Sequence, residues 1–353
     1  MKSAAPSFFR RAAISGLAAL LLLAGGAFPA VAEARPDACK PNGEPGPPVY
    51  RCAKEGDLLE VRLSDLHPTQ AVLGFREIHY RLGRYEAGKD KVNKRFDDWC
   101  KASGLGDAKA ADADARLDDP KSFTCELAPG AETEKSVEDM KAVVIGPGGE
   151  PYLVDGHHTL NAFFERKDGG ADVLVRLKVL ANLGALKSEE FWKTMQEKGW
   201  VWLRDGNGQP IAPKQLPKRL GLTHFADDPY RGLLYFQRDV SFKQDAANAN
   251  FQELYWGQWL RRNPRFKLNS YRLDDFKDFI AADEAAGKLI AGLKGGDTVD
   301  SGLSARDLGR IDFDTGEFAK VSRSFCEDKP GKIGYAFYYY HNVLRHPPKL
   351  ACR

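Results

Sequence analysis

The sequence predicts an α/β (α+β) fold, in which a small mixed β-sheet carries a helix at its edge and a more helical C-terminal part follows. Three observations support this prediction. The apolar run 172–180 (DVLVRLKVL) is the clearest strand of the chain. The stretch 152–165 (YLVDGHHTLNAFFE) passes from an apolar run through an Asp-Gly step into a helical pattern. Beyond Asn182, helical periodicity predominates.

Local patterns in the N-terminal half predict a loop, two strands, a helix and a second loop. Residues 33–56 are rich in Pro and Gly and are predicted to form a lead-in loop. Alternation predicts a strand over 58–63, and near-alternation predicts another over 72–80. Residues 90–102 are predicted to be helical, with Phe96 and Trp99 on one side. The polar and acidic stretch 104–122 is predicted to be an exposed loop, because it has little to bury.

The remaining elements alternate in the centre of the chain and become mostly helical afterwards. Thr133 begins a short helix, and two strands over 141–145 and 151–154 flank the tight turn 146–149. A helix over 157–165 has Leu160, Phe163 and Phe164 as its apolar face. Further helices are predicted over 188–198, 248–262 and 273–293, a hairpin over 201–211, and an aromatic strand over 334–341 (GYAFYYYH).

The first 32 residues have the composition of a secretory signal peptide. Lys2, Arg10 and Arg11 are followed by the apolar run 12–27 and by the small residues of 30–32 (AVA), although the similar 32–34 (AEA) leaves the cut uncertain by two residues. A membrane anchor is the alternative, but the apolar run is short for a span. We therefore expect a periplasmic or secreted protein, with no membrane span after cleavage.

Cleavage of this segment would change the charge balance of the chain. The whole sequence has 52 basic and 49 acidic residues, a net charge of +3. Residues 1–32 carry three basic side chains and no acidic one, so the remaining chain has 49 of each sign. A neutral chain gives no support for strong DNA binding, although local basic patches remain compatible with it.

Six cysteines follow the predicted cleavage site, and an even number in an exported chain indicates disulfides. Their grouping along the chain favours a sequential pairing. The alternative is a zinc site, which no C-x-x-C pair or close Cys/His cluster supports. The three predicted bridges join Cys39 with Cys52, Cys100 with Cys125, and Cys326 with Cys352.

The residues Asp155, Gly156, His157 and His158 stand at a strand-to-helix junction and form the candidate catalytic site. The first N–H groups of a helix lack intrahelical acceptors and lie at the positive end of its dipole, which suits phosphate or carboxylate. Gly156 allows a ligand to approach the backbone. Asp155 is expected to cap the helix, to fix a histidine tautomer or to accept a proton.

The two imidazoles are expected to divide the work at this site. One would contact the anion, and the other would exchange a proton or turn inward. We expect the His158 imidazole to be exposed and therefore to contribute little to folding. The alternative is that Asp-Gly is an ordinary turn and that both histidines are only solvated.

A divalent metal is the competing ligand for the same residues. Asp155, His157 and His158 offer oxygen and nitrogen ligands suited to zinc or manganese. Adjacent histidines at a helix start point about 100° apart, so they rarely bind one ion together. The pattern therefore favours phosphate or a nucleotide over a metal ion.

Two further segments supply candidates for the same site. Arg76 could hold a phosphate bidentately, with Glu77 beside it on the predicted strand. Asp228 and Arg231, in the turn D-D-P-Y-R, could lie against the histidine pair. The alternatives are a solvated strand face for the first segment and a structural ion pair for the second. Glu253 lies on a predicted helix among aromatic residues, a spacing typical of a core.

Four stretches accompany the D-G-H-H motif: LHPTQAVLGFREI (66–78), KAVVIGPGGEPYLVDGHHTL (141–160), FADDPYRGLLYF (225–236) and FQELYWGQWLRR (251–262). Together they resemble the ParB/sulfiredoxin superfamily, and most closely its exported ParB-like nuclease group. The resemblance covers about residues 57–265. It implies a ParB/sulfiredoxin-like domain over 57–185 and a helical extension of the same unit over 186–265, followed by a C-terminal region of unknown role over 266–353.

In relatives of known chemistry, this helix start holds nucleotide phosphates, but several positions depart from their patterns. His157 stands where sulfiredoxins have their catalytic cysteine, so the resemblance does not imply thiol chemistry. ParB proteins that bind CTP carry an Arg-rich run over 157–159. The ParB-type free serine kinase has D-G-H-H-R and a glutamate base. Here Thr159 replaces the Arg and Gln70 stands near the base position, and Gln cannot take a proton.

The sequence is compatible with three functions. The first is an exported enzyme acting on a small phosphorylated substrate, with Gly156, Thr159, Gln70, Arg76, Asp228 and Arg231 as candidate ligand contacts. The second is a metal-dependent nuclease, as the name of the resembled group suggests. The third is a non-catalytic module that binds a nucleotide, a phosphate or a partner protein. Gln70 in place of an acid favours the third over a kinase, and the sequence indicates no oligomeric state.

Overall fold

The computed structural model describes residues 47–244 and 250–345, which belong to one compact unit. The predicted signal peptide (1–32), the first part of the lead-in loop (33–46) and residues 346–353 lie outside the described residues. Among the described helices, none combines the length and the apolar character that a membrane span requires. The predicted domain boundaries and the export of the chain therefore stay predictions.

One mixed five-stranded sheet and three two-stranded pairs make up the β-structure of the described residues. The strands are β1 (Leu58–Arg62), β2 (His67–Pro68), β3 (Val72–Leu73), β4 (Ala108–Ala111), β5 (Phe123–Cys125), β6 (Ala142–Ile145), β7 (Pro151–Leu153), β8 (Leu174–Asn182), β9 (Ala226–Asp227), β10 (Thr298–Asp300) and β11 (Leu303–Ser304). The large sheet has the order β1-β8-β6-β7-β2, with β6–β8 and β2–β7 parallel and the other neighbours antiparallel. The smaller pairs are β3–β9, β4–β5 and β10–β11.

The helices become denser towards the C-terminal part of the chain. They are α1 (Pro47–Tyr50), α2 (Phe75–Ala87), α3 (Lys94–Ala102), α4 (Glu134–Glu138), α5 (His157–Phe164), α6 (Ser188–Glu197), α7 (Pro229–Leu234), α8 (Gln252–Arg262), α9 (Phe276–Ala291), α10 (Thr315–Val321) and α11 (Lys332–Tyr338). A π-helix over Tyr339–Leu344 follows α11 directly. The mixed sheet followed by a more helical part confirms the predicted fold class.

The sheet centre follows from the apolar content of its strands. The four residues of β6 are all buried, since strands flank it on both sides and side chains cover both of its faces. β8 alternates instead, with Val175, Leu177 and Val179 buried and the residues between them partly exposed. The strand predicted over 172–180 is thus confirmed with a shift of two residues.

The strand predicted over 72–80 is wrong for most of its length. β3 ends after two residues, and α2 follows with Ile78, Leu82 and Tyr85 buried at helical spacing. Glu77 and Arg81 form an ion pair one turn apart on the same helix. The apolar residues of 72–80 fit the period of a strand as well as that of a helix. The residues that distinguish the helix, Leu82 and Tyr85, lie after residue 80.

The aromatic strand predicted over 334–341 is also wrong, because this segment is helical. Five consecutive residues of α11, 333–337, are buried, so neighbouring elements cover this helix on more than one face. α11 packs against α2 so closely that a Cβ on Gly83 would clash with the carbonyl oxygen of Tyr335. Large aromatic side chains here fill a helix–helix contact rather than a pleated surface.

The exposed loop predicted over 104–122 holds more structure than its composition suggests. β4 lies within it and pairs with β5. Ala115 and Leu117 are buried against the main core. The disulfide between Cys100 in α3 and Cys125 in β5 closes the segment into a loop and so limits its freedom in the unfolded chain.

That disulfide confirms one of the three predicted bridges. Cys52 and Cys326 are also disulfide-bonded, but their predicted partners Cys39 and Cys352 lie outside the described residues, so these two pairings stay predictions. Within 47–244 and 250–345 no cysteine is free.

Two cores lie on either side of α2. The first packs the sheet against α2, α3 and α5, and it includes Leu82, Phe163 and Val175. The second packs the C-terminal helices around Trp256 and Phe279. Because α2 contacts α5, α7 and α11, its side chains reach both halves of the molecule. This position brings α2 to the predicted site.

Candidate functional site

A cleft of about 640 Å³ lies where the start of α5 faces α2, α7 and the start of α8. Seven predicted site residues line it, and two do not. A more open depression of about 720 Å³ lies along α6, away from all of these residues. The cleft contains Gln70, Asp155, Gly156, His157, His158, Thr159 and Arg231, whereas Arg76 and Asp228 are not among its lining residues.

α5 begins at the wall of this cleft without a side-chain cap. Gly156 precedes the helix with a φ of 101°, in the left-handed region. The first intrahelical bond runs from the N–H of Leu160 to the carbonyl of Gly156, so the N–H groups of 157–159 have no acceptor inside the helix. A Cβ on Gly156 would lie 2.7 Å from Cγ of Lys141, so this position requires glycine for its space as well as for its backbone.

Asp155 is exposed at the rim of the cleft and is bound to a lysine. Nζ of Lys141 donates to its Oδ2 at 3.0 Å, and 57% of the Asp155 side chain remains exposed. The expectation that Asp155 caps α5 is wrong, because no side chain caps this helix start; the Asp155 carboxylate accepts from the N–H of Gly156, the residue before the helix, instead.

Both histidines are buried, with only 3% of His157 and 8% of His158 exposed. The expectation of an exposed His158 is therefore wrong. The N–H of Thr69 donates to Nε2 of His157 at 3.1 Å, and the N–H of Gly74 donates to Nε2 of His158 at 3.0 Å. Burial lowers the pKa of His157 to about 3 and holds the pKa of His158 well below its usual value. Both rings are neutral at pH 7.

A buried charge cluster lies behind the histidines. Nη2 of Arg231 is 2.9 Å from Oε2 of Glu77 and 3.6 Å from Oε2 of Glu253. Nη2 of Arg81 is 2.8 Å from Oε1 of Glu77, and Arg238 pairs with Glu253. Each carboxylate is therefore shared by two guanidinium groups. We call these five residues, Glu77, Arg81, Arg231, Arg238 and Glu253, the charge cluster.

The cluster keeps its carboxylates ionised. Burial alone would raise the pKa of Glu77, but the surrounding positive groups, among them Arg231 and Arg81, hold that pKa well below its usual value. Burial likewise opposes ionisation of Glu253, and Arg231 and Arg238 lower its pKa below the ordinary value. Nη1 of Arg231 is buried without a hydrogen-bond partner among the described residues, so one donor at the cleft is unsatisfied.

His158 connects the start of α5 to this cluster. Its Nδ1 lies 3.8 Å from Oε2 of Glu77 and 3.4 Å from Nη2 of Arg231. His158 therefore contacts the backbone through one ring nitrogen and the charge cluster through the other.

Gln70, Thr159 and Asp228 are buried in different surroundings. The side-chain Nε2 of Gln70 donates to the carbonyl of Val72 at 2.6 Å, and Thr159 lies on the first turn of α5. Asp228 caps α7 by accepting the N–H of Arg231 at 3.1 Å, and it also accepts from Nη2 of Arg261 at 2.6 Å. Asp228 thus fixes the helix that carries Arg231 but does not line the cleft itself.

Arg76 turns away from the cleft. Its Nη2 donates to the carbonyl of Leu273 at 2.9 Å, and its guanidinium lies 4.6 Å from the ring centroids of Phe337 and Tyr340. Consecutive residues of a helix point about 100° apart, so the change from strand to helix sends Arg76 into the C-terminal core and Glu77 to the cleft. The structure does not bring Arg76 to the predicted site.

Sequence reasoning missed the charge cluster, apart from Arg231. Glu77 was considered only as a neighbour of Arg76 on a predicted strand, with a solvated strand face as the alternative, and Glu253 was expected in an aromatic core. The spacing of Glu77 and Arg81 by four residues was the available signal for a helix. Arg238 lies between α7 and α8 and carried no signal in the sequence. Within the described ranges, no group of three or more His, Cys, Asp or Glu side chains is placed to hold a metal ion.

Comparison with known proteins identifies a family whose model matches the part of the chain that forms the cleft. Residues 59–262 match the model of a family described as "Putative ParB-like nuclease", and this segment contains every residue that lines the cleft. No protein of curated function matches the chain. Among solved structures, the chain is similar to protein Atu1540 from Agrobacterium tumefaciens, with 21% identity over 66% of this chain and 92% of that chain and a TM-score of 0.45.

Proposed function

Because the chain belongs to the ParB-like nuclease family, we propose that its cleft binds a phosphate ester at the start of α5 and transfers the phosphoryl group or cleaves the ester. The observation that carries this proposal is the uncapped helix start beside Arg231 in one cleft. Free N–H groups at a helix start suit phosphate oxygens, and a guanidinium adds a charge-assisted donor.

The local charges support an anion at this point. The carboxylates of Glu77 and Glu253 hold Arg231 in place, and its unsatisfied Nη1 remains as a donor. Lys141 and Lys178 also line the cleft. The side chains that line the cleft carry both signs, so binding would depend on the directed N–H groups and on Arg231 rather than on bulk attraction.

The chemistry expected of such a site is mainly positioning and charge stabilisation. Phosphoryl transfer depends on donors that meet the charge on the equatorial oxygens, and the N–H groups of 157–159 with Arg231 would supply them. Asp155 stands at the rim, where its exposed carboxylate could exchange a proton with a nucleophile or with water. Gly156 would let the phosphate reach the backbone.

The proposal includes export of the protein. The predicted signal peptide and the disulfide between Cys100 and Cys125 support it, because disulfides persist in oxidising compartments. The ligand would then be a phosphate ester present outside the cytoplasm.

Two other functions each have one supporting observation. The family description favours a nuclease, and its dependence on a metal ion is a prediction from the sequence. The internal pairing of the charge cluster favours a non-catalytic binding module, because ion pairs that satisfy one another need no substrate to hold them. Both alternatives use the same cleft.

The test compares two glycine variants of the mature protein. Gly156→Ala and Gly170→Ala place a side chain at nearly the same φ, 101° and 102°, but only the first meets another residue, while the second faces open space. Thermal melts and calorimetric titrations would use inorganic phosphate, a mononucleotide and a single-stranded oligonucleotide, each with and without Mg²⁺ or Mn²⁺.

We expect a phosphate ester to stabilise the wild type and the Gly170→Ala variant but not the Gly156→Ala variant. Cleavage of the oligonucleotide only with a divalent cation would favour the nuclease. Binding without turnover would favour the module. Equal binding by both variants, or no binding of any phosphate ester by the wild type, would contradict the proposal.

A further inference from the structure

One short segment, residues 69–74, connects both histidines to the charge cluster. It joins β2 to α2 and contains β3, and Gln70 is its residue that lines the cleft. Its contacts with the two histidines are made by backbone N–H groups. The N–H of Thr69 and the N–H of Gly74 each donate to a histidine Nε2, across 88 and 84 residues of sequence respectively. The hydroxyl of Thr69 donates to the carbonyl of Leu153 at 2.6 Å. His157 therefore holds one end of this segment and His158 holds the other.

The donors in these two bonds fix the tautomer of each ring. A backbone N–H can only donate, so the nitrogen that accepts it carries no proton. A neutral ring must then carry its proton on Nδ1. This holds for His157 and His158 alike, since both accept through Nε2. A protonated Nδ1 of His158 can only donate, so its 3.4 Å approach to Nη2 of Arg231 is not a hydrogen bond, and Oε2 of Glu77 at 3.8 Å is the acceptor on that side of the ring. Neither Nε2 is free to take a proton from a ligand while the segment stays in place.

The adjacency of the two histidines fits this geometry. Neighbouring side chains on a helix point about 100° apart, which is unsuitable for gripping one small ligand. It suits two acceptors that must reach N–H groups at separate points of a passing segment. The angle between the two imidazoles therefore disfavours a shared metal ion but favours two separate hydrogen bonds to one segment.

The end of the segment held by His158 also sets the position of the charge cluster. Gly74 is the residue before α2, the helix that carries Glu77. A Cβ on Gly74 would lie 2.5 Å from the backbone N of Gly232, which follows Arg231. The backbones of α2 and α7 thus touch at the point where His158 accepts its bond. A displaced Gly74 would separate Glu77 from Arg231.

We propose that His157 and His158 are positioning residues, which hold the 69–74 segment as neutral Nε2 acceptors and thereby align Glu77 and Arg231 with the start of α5. Proton exchange with a ligand passes through other groups that line the cleft, such as the exposed carboxylate of Asp155. This inference rests on the proposed function only in taking the cleft as the ligand site.

The first test reads the rings directly in the wild-type protein without ligand. Long-range ¹H–¹⁵N spectra of the imidazoles, with signals assigned from His157→Gln and His158→Gln, distinguish Nδ1–H from Nε2–H and from the doubly protonated ring. We expect two Nδ1–H rings that do not titrate between about pH 5 and 8. An Nε2–H ring, or protonation within this range, would overturn the proposal.

The second test uses matched variants of His158 to distinguish a residue that holds Gly74 in place from one that contacts the ligand. Glutamine can place its oxygen near the position of Nε2, whereas asparagine reaches only the position of Nδ1. His158→Gln should therefore retain the attachment to Gly74, and His158→Asn should lose it. We expect a loss of melting temperature of roughly 3 °C or more for the Asn variant, and a smaller loss for the Gln variant.

Phosphate-ester affinity is then measured on the same variants, with the mononucleotide as the probe. We expect His158→Gln to bind within a few-fold of the wild type and His158→Asn to bind much more weakly. A Gln variant that keeps its melting temperature but loses binding would overturn the positioning role. If the wild type binds no phosphate ester, the proposed function fails, but the ring spectra and the melting temperatures still decide this inference.

Discussion

Replacing Arg231 with methionine should destabilise the protein more than an ordinary surface arginine would. Arg231 is 4% exposed and serves two buried carboxylates, those of Glu77 and Glu253. Removing one partner of a buried ion pair costs about 3–5 kcal/mol, because the remaining charge stays buried. Here Glu77 keeps Arg81 and Glu253 keeps Arg238, so we expect a loss near the lower end, about 3 kcal/mol.

Urea denaturation at pH 7 and constant salt would measure this loss as a free energy of unfolding. The matched control is Arg116→Met, since Arg116 also pairs with a carboxylate, Asp118, but is about half exposed. The control should lose much less stability. Adding Glu77→Gln to Arg231→Met should recover part of the loss, because it removes one of the stranded charges. An Arg231→Met variant as stable as the control would refute the view that the cluster depends on this residue.

Three further predictions concern the thiols, the nucleic-acid affinity and the acid stability of the chain. Thiol titration of the denatured, unreduced mature protein should find no free thiol, and two or more would contradict the three-bridge prediction. Double-stranded DNA should bind weakly and without sequence preference at ~150 mM salt, because the mature chain is predicted to be neutral; submicromolar, sequence-dependent binding in a gel assay would contradict this. Glu77→Gln should lower the free energy of unfolding at pH 7, and its difference from the wild type should shrink as the pH falls below 4.5. The reason is that folding depresses the pKa of Glu77. The stability that the ionised carboxylate contributes is therefore present above the ordinary pKa of 4.5 and is lost as the pH falls towards the lower pKa of the folded state. A difference that stays constant down to pH 3 in denaturation curves would show that the ionised carboxylate does not stabilise the fold.

Local patterns were sufficient for the parts of the fold that neighbouring residues decide. The apolar runs of β6 and β8, the Asp-Gly junction before α5 and the pairing of Cys100 with Cys125 are all features of short sequence range. The D-G-H-H stretch marked the wall of the cleft for the same reason: a glycine in the left-handed region and an uncapped helix start are properties of the junction itself.

Long-range contacts decided what the sequence did not show. The burial of His157 and His158 depends on a backbone segment more than eighty residues earlier in the chain. Residues 75–87 form a helix and not the predicted strand, and this difference decides which side chains face the cleft. It exchanges the expected roles of Arg76 and Glu77. Glu253 looked like a core residue because its neighbours are aromatic, and only the fold places two arginines beside it. The spacing of apolar residues along the chain does not predict these contacts between distant residues.

Amide chemical shifts during titration with a phosphate ester test the central claim most directly. The claim is that the N–H groups at the start of α5 receive the phosphate. On addition of the mononucleotide to ¹⁵N-labelled mature protein, the largest shifts should occur at the amides of His157, His158 and Thr159. Shifts confined to another surface, such as α6, or no shift at saturating ligand, would contradict the account.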